Sequence, residues 1–564
     1  MKFSEYPYER PSIEAYEQHM QHFLEAFSAA ANADEQADLM MGINKLRSEF
    51  STMQTIASIR HTIDTTDAFY EGEQSYYDEI GPVLEKYGTE FYTRLLASPY
   101  RAALEARFGA QLFRLAEMQL RTFSDAVMED LKQENRLSTE YGKLMSSAKI
   151  MFEGEERTLS QLTPFQQSPD RALRQAAYAA RIAFMTEHEA ELDRIYDELV
   201  AVRTRIAHTL GFKNYVELGY LRLARGDYNA EMVAAYREQI LQHVVPVVTR
   251  LKQRQEARIG VDKLRYYDES LQFTDGNAIP QGDADFIVQA GKRMYDELSA
   301  ETSEFFSFML EHELMDLVSR KGKRGGGYCT FIDEYSAPFI FSNFNGTSGD
   351  IDVLTHEAGH AFQVYSARGY SIPEYHWPTM ESAEIHSMSM EFFTWPWMES
   401  FFGEQTQKYK FSHLAGTLLF LPYGVAVDEF QHFVYEHPEA TAAARKAAWR
   451  EIERKYLPHR DYAGFEYLEQ GGFWHQQGHI YHTPFYYIDY TLAQVCALQF
   501  WKRMHEDRDA AWADYVRLCK EGGSKSFLEL VEVAGLKSPF SAGCVESVIP
   551  DIERWLDAVD DKAL

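Results

Sequence analysis

"VLTHEAGHAFQ", residues 353–363, sets two histidines four positions apart, with a glutamate directly after the first. On an α-helix that spacing puts His356 and His360 on one face, a turn apart, so both imidazoles reach a single ion. Glu357 stands beside that ion without having to bind it. This is the H-E-x-x-H arrangement, in which two histidines hold zinc and the glutamate takes the proton of the water that the metal activates. Ser348 and Asp350, either side of Gly349, are the candidate caps of the helix. A metal site needs a third protein ligand, and a catalytic one keeps a position open for water. The metzincin continuation does not supply that ligand, because it needs glycine and histidine where this chain has Gln363 and Ser366.

The flanking sequence offers more. Upstream, "GGGYCTFIDEYSAPFIFSNFNGTSGD", 325–350, is aromatic and β-branched between glycine clusters and predicts two short strands that lead into the motif. Its "NGT" at Asn345 reads as a turn. Downstream, a loop punctuated by Gly369, Pro373 and Pro378 gives way to "TMESAEIHSMSMEFF", a predicted helix carrying Glu381, Glu384, His386 and Glu391. Glu384 and Glu391 share a face, so one can bind the ion while the other supports it from behind. We favour Glu384 as the ligand, although spacing alone does not separate it from Glu381.

Most of the remaining chain predicts helix. Apolar positions from Leu192 to Leu210 recur every three or four residues and end at Gly211. "SPDRALRQAAYAARIAF" starts another helix, with Ser168 as its cap and Pro169 as its first residue. Similar patterns fill residues 12–145 and 283–320. "KIMFEGEERTL" predicts a hairpin about Gly154, and "FTDGNAIPQGD" a loop. The main boundary falls between residues 150 and 168, giving an N-terminal helical lobe, 1–160, and a catalytic region, 161–564.

Bulk composition excludes several classes. With 56 lysines and arginines against 86 acids and a net charge of -30, the surface is not built to collect nucleic acid or anionic lipid. No window approaches the roughly 20 apolar residues that span a bilayer, and "MKFSEYPYERPS" lacks the apolar stretch of a signal peptide. The expectation is a cytoplasmic protein. Four cysteines without a CxxC pair fit buried thiols in a reducing compartment.

"HEAGHAFQ" followed by "ESAEIHSMSMEFF" resembles the thimet-oligopeptidase and oligoendopeptidase F family of zinc metallopeptidases. The likeness extends to "IAHTLGFKNYVELGY", "LPYGVAVDEFQHFVYEHP" and "HIYHTPFYYIDY", covering roughly residues 190–500. It is closest to the shorter oligoendopeptidase branch, which includes Pz-peptidases acting on collagen-derived peptides. The resemblance implies a mainly α fold: a large two-lobed helical clamshell with a deep channel and a small β-sheet beside the active-site helix. It places the third zinc ligand at Glu384, with one zinc per chain. It also implies that Gly326, Gly327 and Tyr328 of "GGGYCTF" line the peptide site. From "GGFWHQQGHIYHTPFYYIDY", 471–490, it implies that His479 and Tyr490 donate hydrogen bonds to the tetrahedral intermediate. Tyr486 is a weaker match there, and Tyr487 stands beside it as an alternative. The expected activity is cleavage of short unstructured peptides, with Glu357 as proton acceptor. The alternatives are a non-catalytic peptide-binding protein and a zinc hydrolase of non-peptide amides.

Overall fold

The computed structural model describes residues 1–320 and 322–564. Helices dominate, and the only strands among the described residues form two small sheets. The predicted hairpin is present: β1 (Ile150–Phe152) and β2 (Glu155–Arg157) pair antiparallel. Glu153 and Gly154 both take positive φ in its turn, 50° and 78°, as a two-residue connection requires. Next comes α1 (Arg171–Glu187), capped by Asp170 rather than Ser168. The Asp170 carboxylate accepts from the backbone N–H groups of Ala172 and Leu173, while Ser168 Oγ accepts from Asp170 N one turn too early. The Leu192–Leu210 periodicity corresponds to the helix Glu189–Thr209.

The helical reading of 283–320 ends too late. Helices Ala284–Leu298 and Ala300–Glu311 are followed by Glu313 at φ 53°, and the chain then extends into β3 (Met315–Val318). A four-residue run is too short to show a period, and what makes it a strand is its partner. β4 (Tyr328–Ile332) and β5 (Ala337–Phe344), the two predicted strands, pair antiparallel, and β5 also pairs parallel with β3. The order β3-β5-β4 puts β5 in the centre, where six consecutive residues are buried. Such a strand reads as a continuous apolar run rather than an alternation.

The chain then enters α2 (Gly349–Ala367), which carries "HEAGH". Neither expected residue caps it by its side chain. The Ser348 hydroxyl makes no cap bond, and the Asp350 carboxylate, already in the first turn, reaches back to accept from Asn345 N at 2.9 Å and Gly346 N at 2.8 Å. Asn345 in turn accepts from the backbone and hydroxyl of Thr347, so "NGT" is the turn expected. α3 (Met380–Phe393) is buried along almost its whole length between α2 and a later helix, α5 (Tyr487–Glu506). Between them in sequence runs the long α4 (Thr406–Glu436), with Pro422 in its interior. Two close approaches fix this arrangement. A Cβ at Gly359 of α2 would lie 2.7 Å from His386 O and from Ser387 Cα of α3, and one at Gly424 of α4 would lie 2.2 Å from Thr491 Cγ2 of α5.

One apolar cluster runs from Phe3 to Leu556 and encloses α2, α3, α4 and α5. A second is built mainly from helices within residues 13–122, and Ile372 and Tyr375 from the loop before α3 insert into it. Cys496, Cys519 and Cys544 are buried thiols as expected, whereas Cys329 on β4 is only half-buried; all four are free. No described helix is long and apolar enough to cross a membrane.

The close approach at Gly359 generates a test. Gly359→Ala should cost about 1–3 kcal/mol, the usual penalty for overpacking. In contrast Gly88→Ala, in helix Ala68–Leu96 with nothing within 4 Å of the new methyl, should be neutral or stabilising. Urea unfolding midpoints of the two variants check this, and equal midpoints would remove the steric argument.

Candidate metal centre

α2 and α3 bring the predicted ligands together. Nε2 of His356 lies 3.2 Å, and Nε2 of His360 3.5 Å, from the same oxygen, Glu384 Oε2. One ligand atom from each of the three side chains lies within 4.8 Å of the others, and no other such group of three occurs among the described residues. Glu381, which spacing left level with Glu384, is fully buried elsewhere, with both carboxylate oxygens lacking protein partners and the Arg225 guanidinium as its charged neighbour. His386 is also fully buried and outside the group, and burial pushes its pKa down to about 3.

Hydrogen bonds decide which ring nitrogen of His356 faces Glu384 as a lone pair. Its Nδ1 lies 2.7 Å from Glu391 Oε1, an acceptor, so Nδ1 carries the hydrogen, and in the neutral imidazole Nε2 is left free. The other oxygen of Glu391 meets His413 Nε2 at 2.8 Å. That nitrogen must be the donor, because His413 Nδ1 already accepts from the Trp395 indole N–H at 3.1 Å, and an indole only donates. The series Trp395, His413, Glu391, His356 therefore aims one lone pair at Glu384. Glu384 is oriented as well: Tyr486 donates its hydroxyl to Oε1 at 2.8 Å, and Ser387 donates to Oε2 at 2.9 Å.

Electrostatically, the group calls for a cation. Burial opposes charge on His356, yet the Glu384 and Glu391 carboxylates hold its pKa well above the ordinary value. Burial would likewise raise Glu384, but the His360 and His356 imidazoles hold it well below the usual range. Lone pairs converging on a carboxylate oxygen are stable only with positive charge between them, and two imidazoles with one carboxylate are a donor set that zinc accepts. The residues present therefore fit a divalent metal.

Glu357 lies beside this group and is buried. Burial pushes its carboxyl pKa up, against the pull of the His356 and His360 imidazoles. The glycine segment comes close: a Cβ at Gly327 would sit 3.6 Å from Glu357 Oε1 and 3.3 Å from Phe341 O. Gly326 is at φ 91° and exposed. Tyr328 is turned to structural use, its ring stacked on Phe341 and its hydroxyl 2.7 Å from Thr62 Oγ1. β4, which follows, is paired on one side only.

The segment 471–490 closes the site from the opposite direction. His479, Tyr487 and Tyr490 line a cavity of about 520 Å³ together with Glu391, His413 and Phe420. His479 Nδ1 lies 2.8 Å from Gln477 Nε2, and the Gln477 amide is itself fixed because its Oε1 accepts from Tyr423 OH at 2.8 Å. Nδ1 therefore accepts, and Nε2 carries the hydrogen, 3.5 Å from Tyr490 OH. Burial and neighbouring His482 lower the His479 pKa, so the imidazole is neutral, while burial raises the phenols of Tyr486 and Tyr490. Each of these groups is a hydrogen-bond donor at neutral pH.

Other residues hold the segment in place. Buried Arg203 donates to the carbonyls of Ile480 and Tyr481 and pairs with Glu134, and Tyr141 donates to His475 O at 2.9 Å. His475 itself faces Tyr467 and Asp193, and His482 packs on Tyr141, so neither joins His479. Sequence reading missed His413, Trp395, Gln477 and Tyr423. Only Gln477 carried a local signal, as a polar residue two places before His479.

Known proteins resemble the chain on both sides of its middle. The Peptidase M3 N-terminal domain matches residues 3–123, and Peptidase family M3 matches residues 293–548. An oligoendopeptidase F homolog of Borreliella burgdorferi is 22% identical over 432 residues, covering 72% of this chain and 70% of that protein. A solved structure of PZ peptidase A with an inhibitor is 62% identical with a TM-score of 0.97, covering 100% of both chains. An X-ray structure provisionally assigned as oligoendopeptidase F is 63% identical, with the same TM-score and coverage.

The two carboxylates of α3 should separate in a metal-binding assay. Glu384→Gln should abolish stoichiometric binding, whereas Glu391→Gln should weaken affinity about 10- to 100-fold, the usual effect of losing an outer partner of a ligand. Competition with a chromogenic chelator measures both, and equal affinities would exchange or cancel the two roles.

Proposed function

The chain belongs to peptidase family M3, and from that membership and the geometry of the site we propose that it is a zinc-dependent endopeptidase of short, unstructured peptides. The observation that carries this reading is the convergence of His356 Nε2 and His360 Nε2 on Glu384 Oε2, with the Glu357 carboxylate alongside. These three side chains would hold one zinc ion. When bound, it would polarise the scissile carbonyl and acidify the attacking water.

The chain's own groups supply the remaining chemistry. Glu357, with a carboxyl pKa raised by burial, takes the water proton on its carboxylate and delivers it to the leaving amine. His479 offers Nε2–H and Tyr490 its hydroxyl as donors to the oxygen of the tetrahedral intermediate. The Tyr486 hydroxyl is bonded to Glu384, so its part is to orient that carboxylate; donation to the intermediate would require it to leave that bond. The free edge of β4 and the backbone at Gly326 and Gly327 suit an extended peptide, which pairs as an added strand next to Glu357. The resemblance of the sequence motifs to Pz-peptidases makes collagen-derived sequences the first substrates to try.

Glu357→Gln gives the central test, because it preserves size and leaves both imidazoles untouched. The variant should hold stoichiometric zinc and bind peptide, yet lose about 10²-fold or more in kcat, and more still because one group serves as base and then as acid. Near-normal turnover at full metal occupancy would overturn this mechanism. A parallel panel of quenched peptides and small amides, with zinc-loaded wild type, separates a peptidase from an amide hydrolase and from a peptide-binding protein without turnover.

A further inference from the structure

Beside the cavity that holds His479 and Tyr490 lies a second, of about 560 Å³; Gly416 and Phe420 of α4 line both. Its walls carry three cationic side chains, Arg181, Lys252 and Arg460, against one carboxylate, Glu269. Glu269 is engaged by Arg460, through Nη2 at 3.0 Å and Nε at 3.3 Å, and lies 3.9 Å from Lys252 Nζ. Lys252 donates at 3.0 Å only to a neutral acceptor, Gln255 Oε1. Arg181, on α1, donates Nε to Gln476 Oε1 at 3.2 Å and has no carboxylate within ion-pair distance among the described residues. Gln476 adjoins Gln477, the residue that orients His479.

A half-buried guanidinium without a carboxylate partner among the described residues, and a buried ammonium that shares its carboxylate neighbour with Arg460, are unusual in a chain whose net charge is -30. Burial holds Lys252 below its ordinary pKa, and the neighbouring Arg460 adds to that against the pull of Glu269, so an added anion would relieve the charge there. Phosphate or nucleotide is the less natural occupant, because the cavity shares Gly416 and Phe420 with the one lined by His479 and Tyr490 and is walled by the aromatic rings of Tyr178, Tyr266 and Phe473. A negatively charged group on a peptide chain fits both walls.

We propose that this cavity is a carboxylate-binding subsite, in which Arg181 and Lys252 receive a carboxylate of the same peptide that is cut at the His356, His360 and Glu384 group. The inference rests on the peptidase reading and narrows its substrate class to peptides with negative charge at a set distance from the cut bond. That carboxylate belongs either to the free C-terminus or to an aspartate or glutamate side chain.

The test uses the zinc-loaded full chain and one cleaved peptide in three forms: free acid, C-terminal amide, and a form with its glutamate replaced by glutamine. A charge-assisted bond predicts that removing the right carboxylate lowers kcat/KM about 10- to 100-fold. Which form loses activity identifies the source of the carboxylate. In Arg181→Gln the ratio between charged and uncharged forms should collapse toward one, and Arg181→Lys should restore part of it. Equal kcat/KM for all three forms in wild type overturns the proposal, and that measurement does not depend on any variant folding. A preference that survives intact in Arg181→Gln also overturns it. Failure to cut any peptide, with zinc fully bound, would overturn the peptidase reading and the subsite with it.

Discussion

Two imidazole nitrogens and a carboxylate oxygen that face one another at 3.2 and 3.5 Å in a buried cleft cannot be left without a positive charge between them. The surrounding structure preserves that convergence. α2 and α3 must approach closely enough for side chains of both to share an ion, and Gly359, with no room for a methyl group, permits it. α3 is buried along almost its whole length because Glu384 faces α2 while its other faces meet α5 and the core. Tyr486, one residue before α5, then reaches Glu384 and links that carboxylate to the segment that carries His479 and Tyr490.

The other half of the site is a matter of protons. His356 has to offer a lone pair at Nε2, and His479 a hydrogen at Nε2; a histidine left to itself does either. Both choices are set from α4, since His413 fixes Glu391 and hence His356, and Tyr423 fixes Gln477 and hence His479. His413, Gly416, Phe420 and Tyr423 fall at intervals of three or four residues, so one face of one helix governs both tautomers and separates the two cavities.

What could be read from the sequence follows from how local each feature is. The spacing of His356, Glu357 and His360 fixes their shared face by helix geometry alone, and the mostly helical architecture is equally plain from periodicity. Glu384 is a different case. Spacing could not separate it from Glu381, since both lie on one helix within a turn, and only the packing of α3 on α2 turns one toward the imidazoles and the other toward Arg225. β3 escaped notice because a strand of four residues has no period of its own and is defined by pairing with β5. The Ser168 cap was a local error, as two acceptors stood close together and the Asp170 carboxylate, nearer the first free N–H groups, captured them. His413 and Trp395 were unreadable in principle, because nothing near them in sequence says that His413 meets Glu391 and Trp395 meets His413.

The order of these parts along the chain has a consequence for synthesis. "HEAGH" and Glu384 leave the ribosome first, while α4 and the segment bearing His479 and Tyr490 come later, that segment being clasped by Arg203 and Tyr141 from helices made earlier. An unfinished chain therefore holds His356, His360 and Glu384 before it holds His413, Gln477, His479 and Tyr490. Competence arrives late, since a chain halted before residue 479 has its two α2 histidines and Glu384 but neither of the donors His479 and Tyr490.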